Sequence, residues 1–138
     1  MPSWFSRLFR KPLQLNDADF GALVYMGGYW EGAGRFPPTQ SDVEYFVMAD
    51  ERGPSNKNRA AFSEICGNYQ ALHDRGLDAV RAATRSDLIT MIVVSSMDVP
   101  SEDISTARWE MNFSGVDGVF YSVEYKGLHA TGLVEVSR

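Results

Sequence analysis

The chain has 138 residues, 44% of them hydrophobic and 22% charged, with a formal net charge of −5. That size and balance fit one globular domain with a core of its own, and the acidity argues against nucleic acid as a direct partner, since phosphate binding needs a basic field. A single cysteine, Cys66, excludes an internal disulfide and fits a reducing, cytoplasmic setting; no apolar run of about 18 residues is present to span a bilayer as a helix.

Residues 1–16 read as a basic, aromatic N-terminal segment and residues 17–138 as a single α+β domain. Trp4, Phe5, Leu8 and Phe9 would share one helix face, ringed by Arg7, Arg10 and Lys11, with Pro12 as the stop. A terminal segment that packs on the domain or frays is one reading; a membrane-surface anchor is the other. No apolar core or cleavage site of a secretory signal follows. Asn16 or Asp17 reads as a turn before the first strand. Asp17 and Asp19 resemble the start of a calcium loop, but the rest of that spacing is missing.

Phe20 to Met26 reads as a strand, Gly27-Gly28 as a turn and Tyr29 to Gly32 as a second short strand. Gly32, Gly34, Pro37 and Pro38 then read as a loop. It is not a phosphate loop, because it leads to Pro-Pro rather than into a helix N-terminus. Asp42 to Ala49 is a central strand, with Val43, Tyr45 and Val47 on one face and Glu44, Phe46 and Met48 on the other.

Ser55 to about Thr84 is the long helix on which the rest is organised. Phe62, Ile65, Cys66, Tyr69, Leu72, Gly76, Val80 and Ala83 recur at steps of three and four, which draws one apolar stripe. Ser55 after Pro54 supplies an N-cap. Gly76 is a candidate break in the helix, and Gly67 a candidate point of close approach by a strand. Leu88 to Ser95 reads as a buried strand that can extend to Val99. Ala107 to Phe113 and Val119 to Tyr125 alternate, and Leu128 to Val136 closes the chain with a candidate bulge at Gly132. The fold class expected is α+β, an antiparallel sheet of about five to seven strands packed on one long or broken central helix. Phe62, Ile65, Tyr69 and Leu72 should pack on Val43, Tyr45, Trp109, Met111 and Tyr121.

No catalytic, cofactor-binding or metal-ligating set emerges. His73 and His129 are the only histidines and lack metal-site spacing. Cys66 lies on the apolar stripe, where thiols behave as small hydrophobes. No G-x-S-x-G elbow is present.

The order of F-G-x-L at Phe20 to Leu23, W-x-G at Trp30 to Gly32 and an apolar strand at Val43 is followed by F-x-x-I-x-x-x-Y from Phe62 to Tyr69 and W-E-M-x-F at Trp109 to Phe113. This pattern resembles small bacterial proteins of unknown function, some of which are similar to immunity proteins of polymorphic toxin systems. The resemblance implies a cytoplasmic α+β domain without cofactor, and it carries over no catalytic residue. The expected function is non-enzymatic binding of a protein partner, such as a basic toxin. The partner face would carry Glu44, Phe46, Glu110, Asn112 and Glu124, which alternation turns away from the helix. The alternatives are a small enzyme assembled from Glu31, Glu44 and His129, and a membrane-surface accessory protein acting through residues 4–11.

Overall fold

A computed structural model describes residues 12–138, the side chain of Asp117 excepted. Among these residues, alternating apolar and polar positions pair into one eight-stranded sheet in sequence order. The strands are β1 (Gln14–Asp17), β2 (Gly21–Tyr25), β3 (Trp30–Phe36), β4 (Ser41–Val47), β5 (Val93–Val99), β6 (Arg108–Ser114), β7 (Phe120–Lys126) and β8 (His129–Ser137). Two helices, α1 (Asn56–Gly67) and α2 (Tyr69–Thr84), join β4 to β5. The α+β class stands. The strand number exceeds the five to seven expected, and the sheet is not wholly antiparallel, because β4 and β5 pair in parallel. A helical crossover between adjacent strands returns the chain to the same end of the sheet, which is the condition for a parallel pair.

The extra strand is β1, at the sheet edge, and it lies across the boundary placed after residue 16. Its sequence, Gln-Leu-Asn-Asp, has no β-branched or aromatic residue to announce it. The Asp17 carboxylate then accepts from the N–H groups of Asp19 and Phe20, so the expected turn follows the strand. β3 runs on through the stretch read as a Gly-rich loop. Its glycines serve contact: a Cβ on Gly32 would stand 2.6 Å from the Ala22 carbonyl oxygen. β5 begins later than expected, at Val93, and reaches Val99. β8 carries its irregularity opposite Val123 and Tyr125, and Gly132 within it has φ +96°, the bulge expected there.

The helix is broken, at Asn68 rather than at Gly76. Asn68 adopts φ −117° and ψ 15°, and its side-chain amide donates to the Glu64 carbonyl at 2.8 Å. Gly67 favours the break through its high helix cost, and Asn68 through its competition for backbone partners. No strand approaches Gly67; nothing lies within 4 Å of the place its Cβ would occupy. Gly76 has the contact role instead. A Cβ there would stand 2.6 Å from the Tyr125 hydroxyl and 3.1 Å from the Phe113 ring. The absent side chain lets α2 lie close on β6 and β7, and the Tyr125 hydroxyl donates to the Leu72 carbonyl at 2.7 Å.

The core lies between the helices and one sheet face, as the stripe requires. Phe62 meets Phe20 and Tyr45 edge-on, with ring centroids 4.9 and 5.4 Å apart. Tyr69 meets Phe36 edge-on at 5.0 Å. Ile65, Leu72 and Val80 are buried, with Val43, Trp109, Met111 and Tyr121 on the facing sheet; Ala83 lies outside the core. Such aromatic edges add about 0.5–1.5 kcal/mol each beyond the area they bury. α1 is fastened at its start by Ser55 and Asn58, each capping the other. The Asn58 side chain is fully buried, and its amide donates to the carbonyls of Met48, Val99 and Pro100. One side chain thus ties the helix N-terminus to the ends of both parallel strands.

Candidate partner-binding face

Each buried strand residue has neighbours that point away from the helices. On β4 these are Asp42, Glu44 and Phe46; on β6 they are Arg108, Glu110 and Asn112; on β7 they are Ser122 and Glu124. Pairing aligns Glu44, Ser96, Asn112, Ser122 and Glu135 in one row across five strands. A second row joins Val24, Glu31, Phe46 and Asp98, and Glu110 sits opposite Glu124 beyond it. All five residues expected at the partner face, Glu44, Phe46, Glu110, Asn112 and Glu124, therefore lie on one surface.

That surface has a polar ridge and an acidic side. The Asn112 amide donates to Ser96 at 2.7 Å and the Ser122 hydroxyl donates to the Asn112 carbonyl oxygen, which fixes Asn112 in one orientation. Phe46 meets Tyr29 edge-on at 6.2 Å, giving the face an apolar centre. Burial pushes the Asp98 carboxyl up, and the hydrogen bond from the Glu110 N–H offsets only part of that. Burial likewise pushes Glu110 up, joined by the charges of Asp98, Glu135 and Glu124. Arg108 reaches Glu124 at 3.0 Å, but its side chain is 62% exposed, so this pair does little to neutralise the cluster.

Sequence reading missed Asp98 and Ser96. The signal was available in the alternation of Ser96 and Asp98 against Met97 and Val99, in the stretch to which the strand was expected to extend. Met48 lies just past β4, and its N–H bonds the Val99 carbonyl.

The residues of the enzyme alternative are not brought together. Glu31 and Glu44 are on β3 and β4, while His129 opens β8. Those strands stand four and five spacings away, or about 19–24 Å. His129 borders a groove of about 930 Å³ with Lys57, Glu64, Glu102, Ile104 and Leu128, none of them a residue of that alternative. His73 sits against the sheet, its Nε2 3.0 Å from the Ile92 carbonyl oxygen, where it donates as a structural histidine does. Burial and the charge of Asp19 push the Cys66 thiol up to about 11, which leaves little thiolate at neutral pH. Among the described residues, no group of three His, Cys, Asp or Glu side chains has metal-holding geometry, and no helix is long and apolar enough to cross a membrane. The anchor reading falls on residues 1–11, outside the described residues.

No family model matches the chain, and no curated protein and no solved structure was found similar to it.

Proposed function

We propose that the chain is a protein-binding module whose outer sheet face takes a basic partner, of the kind an immunity protein meets in a toxin. One observation carries the reading. Glu44, Asp98, Glu110 and Glu124 share the outer sheet face with Phe46; burial raises Asp98 and Glu110 above ordinary carboxylates, and the charges of Asp98, Glu135 and Glu124 raise Glu110 further. A partner bearing Lys or Arg relieves that repulsion, and Phe46 supplies an apolar contact at the centre of a charged rim. A nuclease with a phosphate-binding cleft has the complementary charge. In this reading the protein works by occupation of a surface, without a cofactor.

The test uses the whole chain as immobilised bait, followed by association kinetics of the purified captured protein at several salt concentrations. Glu44→Gln, Glu110→Gln and Glu124→Gln combined should slow association and flatten its salt dependence, because steering acts over a screening length of about 10 Å at 0.1 M salt. Parental rates at every ionic strength would place the contact elsewhere and end this reading.

A further inference from the structure

Beside its core-facing residues, α1 carries a second stripe. Lys57, Ala60, Ala61 and Glu64 recur at steps of three and four, so they share one side of the helix, with the two charged residues about 10 Å apart along its axis. The two alanines between them leave room beside the helix. The loop from β5 to β6 and the turn from β7 to β8 stand opposite, and between them runs the groove of about 930 Å³. Small-molecule sites span about 300–1,000 Å³. The middle of the groove is apolar: Ala61 and Ile104 are buried, and Leu128 is half-buried.

Its walls are fixed by the fold. Asn58 ties the start of α1 to the strand ends. The N–H groups of Thr106 and Ala107 both bond the Asp103 carbonyl at 3.1 Å, which closes the loop, and the Gly127 N–H bonds the Ala107 carbonyl at 2.9 Å. The Trp109 indole N–H donates to the Gly127 carbonyl at 2.8 Å, and the Arg75 guanidinium donates to the Leu128 carbonyl. Gly127, at φ +60°, lies so close to the loop that a Cβ there would stand 2.9 Å from the Ser105 carbonyl oxygen. A cleft built in this way is pre-formed, so a ligand entering it meets little ordering cost.

Charge decides what fits. Glu64, Glu102 and Asp103 line the groove with one lysine, Lys57. Asp103 is already served: the Ser105 N–H and hydroxyl, with the charge of Lys57, hold its carboxyl below the usual range. Glu64 and Glu102 are not. Among the described residues no ion pair includes either, and Glu64 receives one long bond, from the Asn68 amide at 3.4 Å. The two stand toward opposite ends of the groove. Pro100, two residues before Glu102, is held at the first turn of α1 by Asn58, whereas Glu64 lies in the last turn.

We propose that this groove binds a linear aliphatic diamine or polyamine, with the hydrocarbon chain along Ala60, Ala61, Ile104 and Leu128 and the ammonium groups at Glu64 and Glu102. Three carboxylates against one lysine leave an excess of two, which two ammonium groups match. The apolar middle separates this ligand from others. A metal ion needs oxygen ligands that converge on one point. A single amine leaves one carboxylate unmatched. A lysine-rich peptide carries the same ammonium groups but brings polar backbone onto the apolar middle. The site is lined from α1, on the helix side of the sheet, and does not rest on the reading of the outer face.

The experiment titrates the full chain with cadaverine and with spermidine and follows amide shifts by NMR. Saturable shifts should centre on Ala60, Ala61, Glu64, Ile104 and Leu128. Pentylamine should bind about tenfold more weakly, and pentanediol and glutarate should not bind. Glu64→Gln combined with Glu102→Gln should weaken diamine binding about tenfold. Ala60→Leu keeps every charge and fills the cleft from an exposed position, and it should weaken binding as much. Urea unfolding midpoints check that both variants fold. Diamine binding to Ala60→Leu at the parental strength would show diffuse attraction to an acidic protein and overturn the proposal. Absent shifts, shifts centred on Glu44 and Glu110, or an equal response to pentylamine or glutarate overturn it as well. So does a response to a Lys-Leu-Lys peptide without a response to either amine, which would give the groove to a protein segment.

Discussion

Replacing Asn58 by Ala tests whether one buried amide holds the crossover to the sheet. The two Nδ2 hydrogens serve three carbonyls, Met48 at 3.1 Å, Val99 at 3.3 Å and Pro100 at 2.9 Å, so one bond is shared. The Oδ1 accepts from the Ser55 N–H at 2.8 Å and from the Ser55 hydroxyl at 3.0 Å. Alanine removes all of these. Val99 keeps the Met48 N–H as a donor at 3.0 Å, but the Met48 and Pro100 carbonyls and the Ser55 N–H lose the Asn58 partner. Each unsatisfied buried group costs about 1–3 kcal/mol, and partial access of water reduces the sum, so the expected loss is about 3–5 kcal/mol. At this size that lowers the thermal midpoint by about 10–20 °C. Ser55→Ala is the control. It removes the hydroxyl cap but leaves the amide bonds, for a loss of about 1 kcal/mol. Urea unfolding of the three proteins, followed by circular dichroism, gives both differences. If Asn58→Ala loses no more than Ser55→Ala, the amide is not the fastening point and the crossover is held by apolar packing.

Two further expectations concern the helices and the acidic face. Gly67→Ala should stabilise the fold by up to about 1 kcal/mol, since helix propensity improves and nothing lies within 4 Å of the new methyl. Gly76→Ala should destabilise it in spite of the same propensity gain, because the methyl meets the Tyr125 hydroxyl and the Phe113 ring; equal effects in urea unfolding would refute the packing role of Gly76. Asp98→Asn and Glu110→Gln should each raise stability at neutral pH. Both carboxyls are held above their ordinary values in the fold, so the native state binds protons more readily than the unfolded chain, and stability falls as pH rises through that window. The gain over the natural chain should therefore close as pH falls through the raised values into the ordinary carboxylate range, as read by unfolding midpoints across pH. A gain that persists at acid pH would show that charge is not its cause.

Short-range pattern made much of this molecule legible. The 3.6-residue stripe from Phe62 to Val80 marked the helical region and its buried side. The two-residue alternation of Tyr45, Trp109, Met111 and Tyr121 against Glu44, Glu110, Asn112 and Ser122 separated the two sheet faces. That separation is why the residues expected at the partner face do share a surface. Side-chain direction follows from backbone geometry within one strand and needs no knowledge of the neighbours.

The tertiary structure decided what alternation within one element cannot encode. β1 is a strand because β2 offers it an edge, and Arg59 of α1 holds it there through Asp17 at 2.7 Å. Burial alone would raise the Asp17 carboxyl, yet the Arg59 guanidinium and the Asp19 and Phe20 N–H groups bring it below the usual range. β3 is a strand although three glycine and alanine residues fill its middle, because small residues suit close contact with β2. Local preference read a turn at Asn16 or Asp17 and a loop at Gly32 and Gly34, and pairing overrode both. Gly76 looked like a helix breaker until the sheet supplied the ring and hydroxyl that need its empty space. The antiparallel join of β5 and β6 places Asp98 beside Glu110, and the Asp98 charge raises the affinity of Glu110 for protons only once that join is made. Periodicity is a property of a single element and can be read from its residues. Register, close approach and electrostatic coupling are properties of pairs of elements, and they come into being only when the chain has brought those elements into contact.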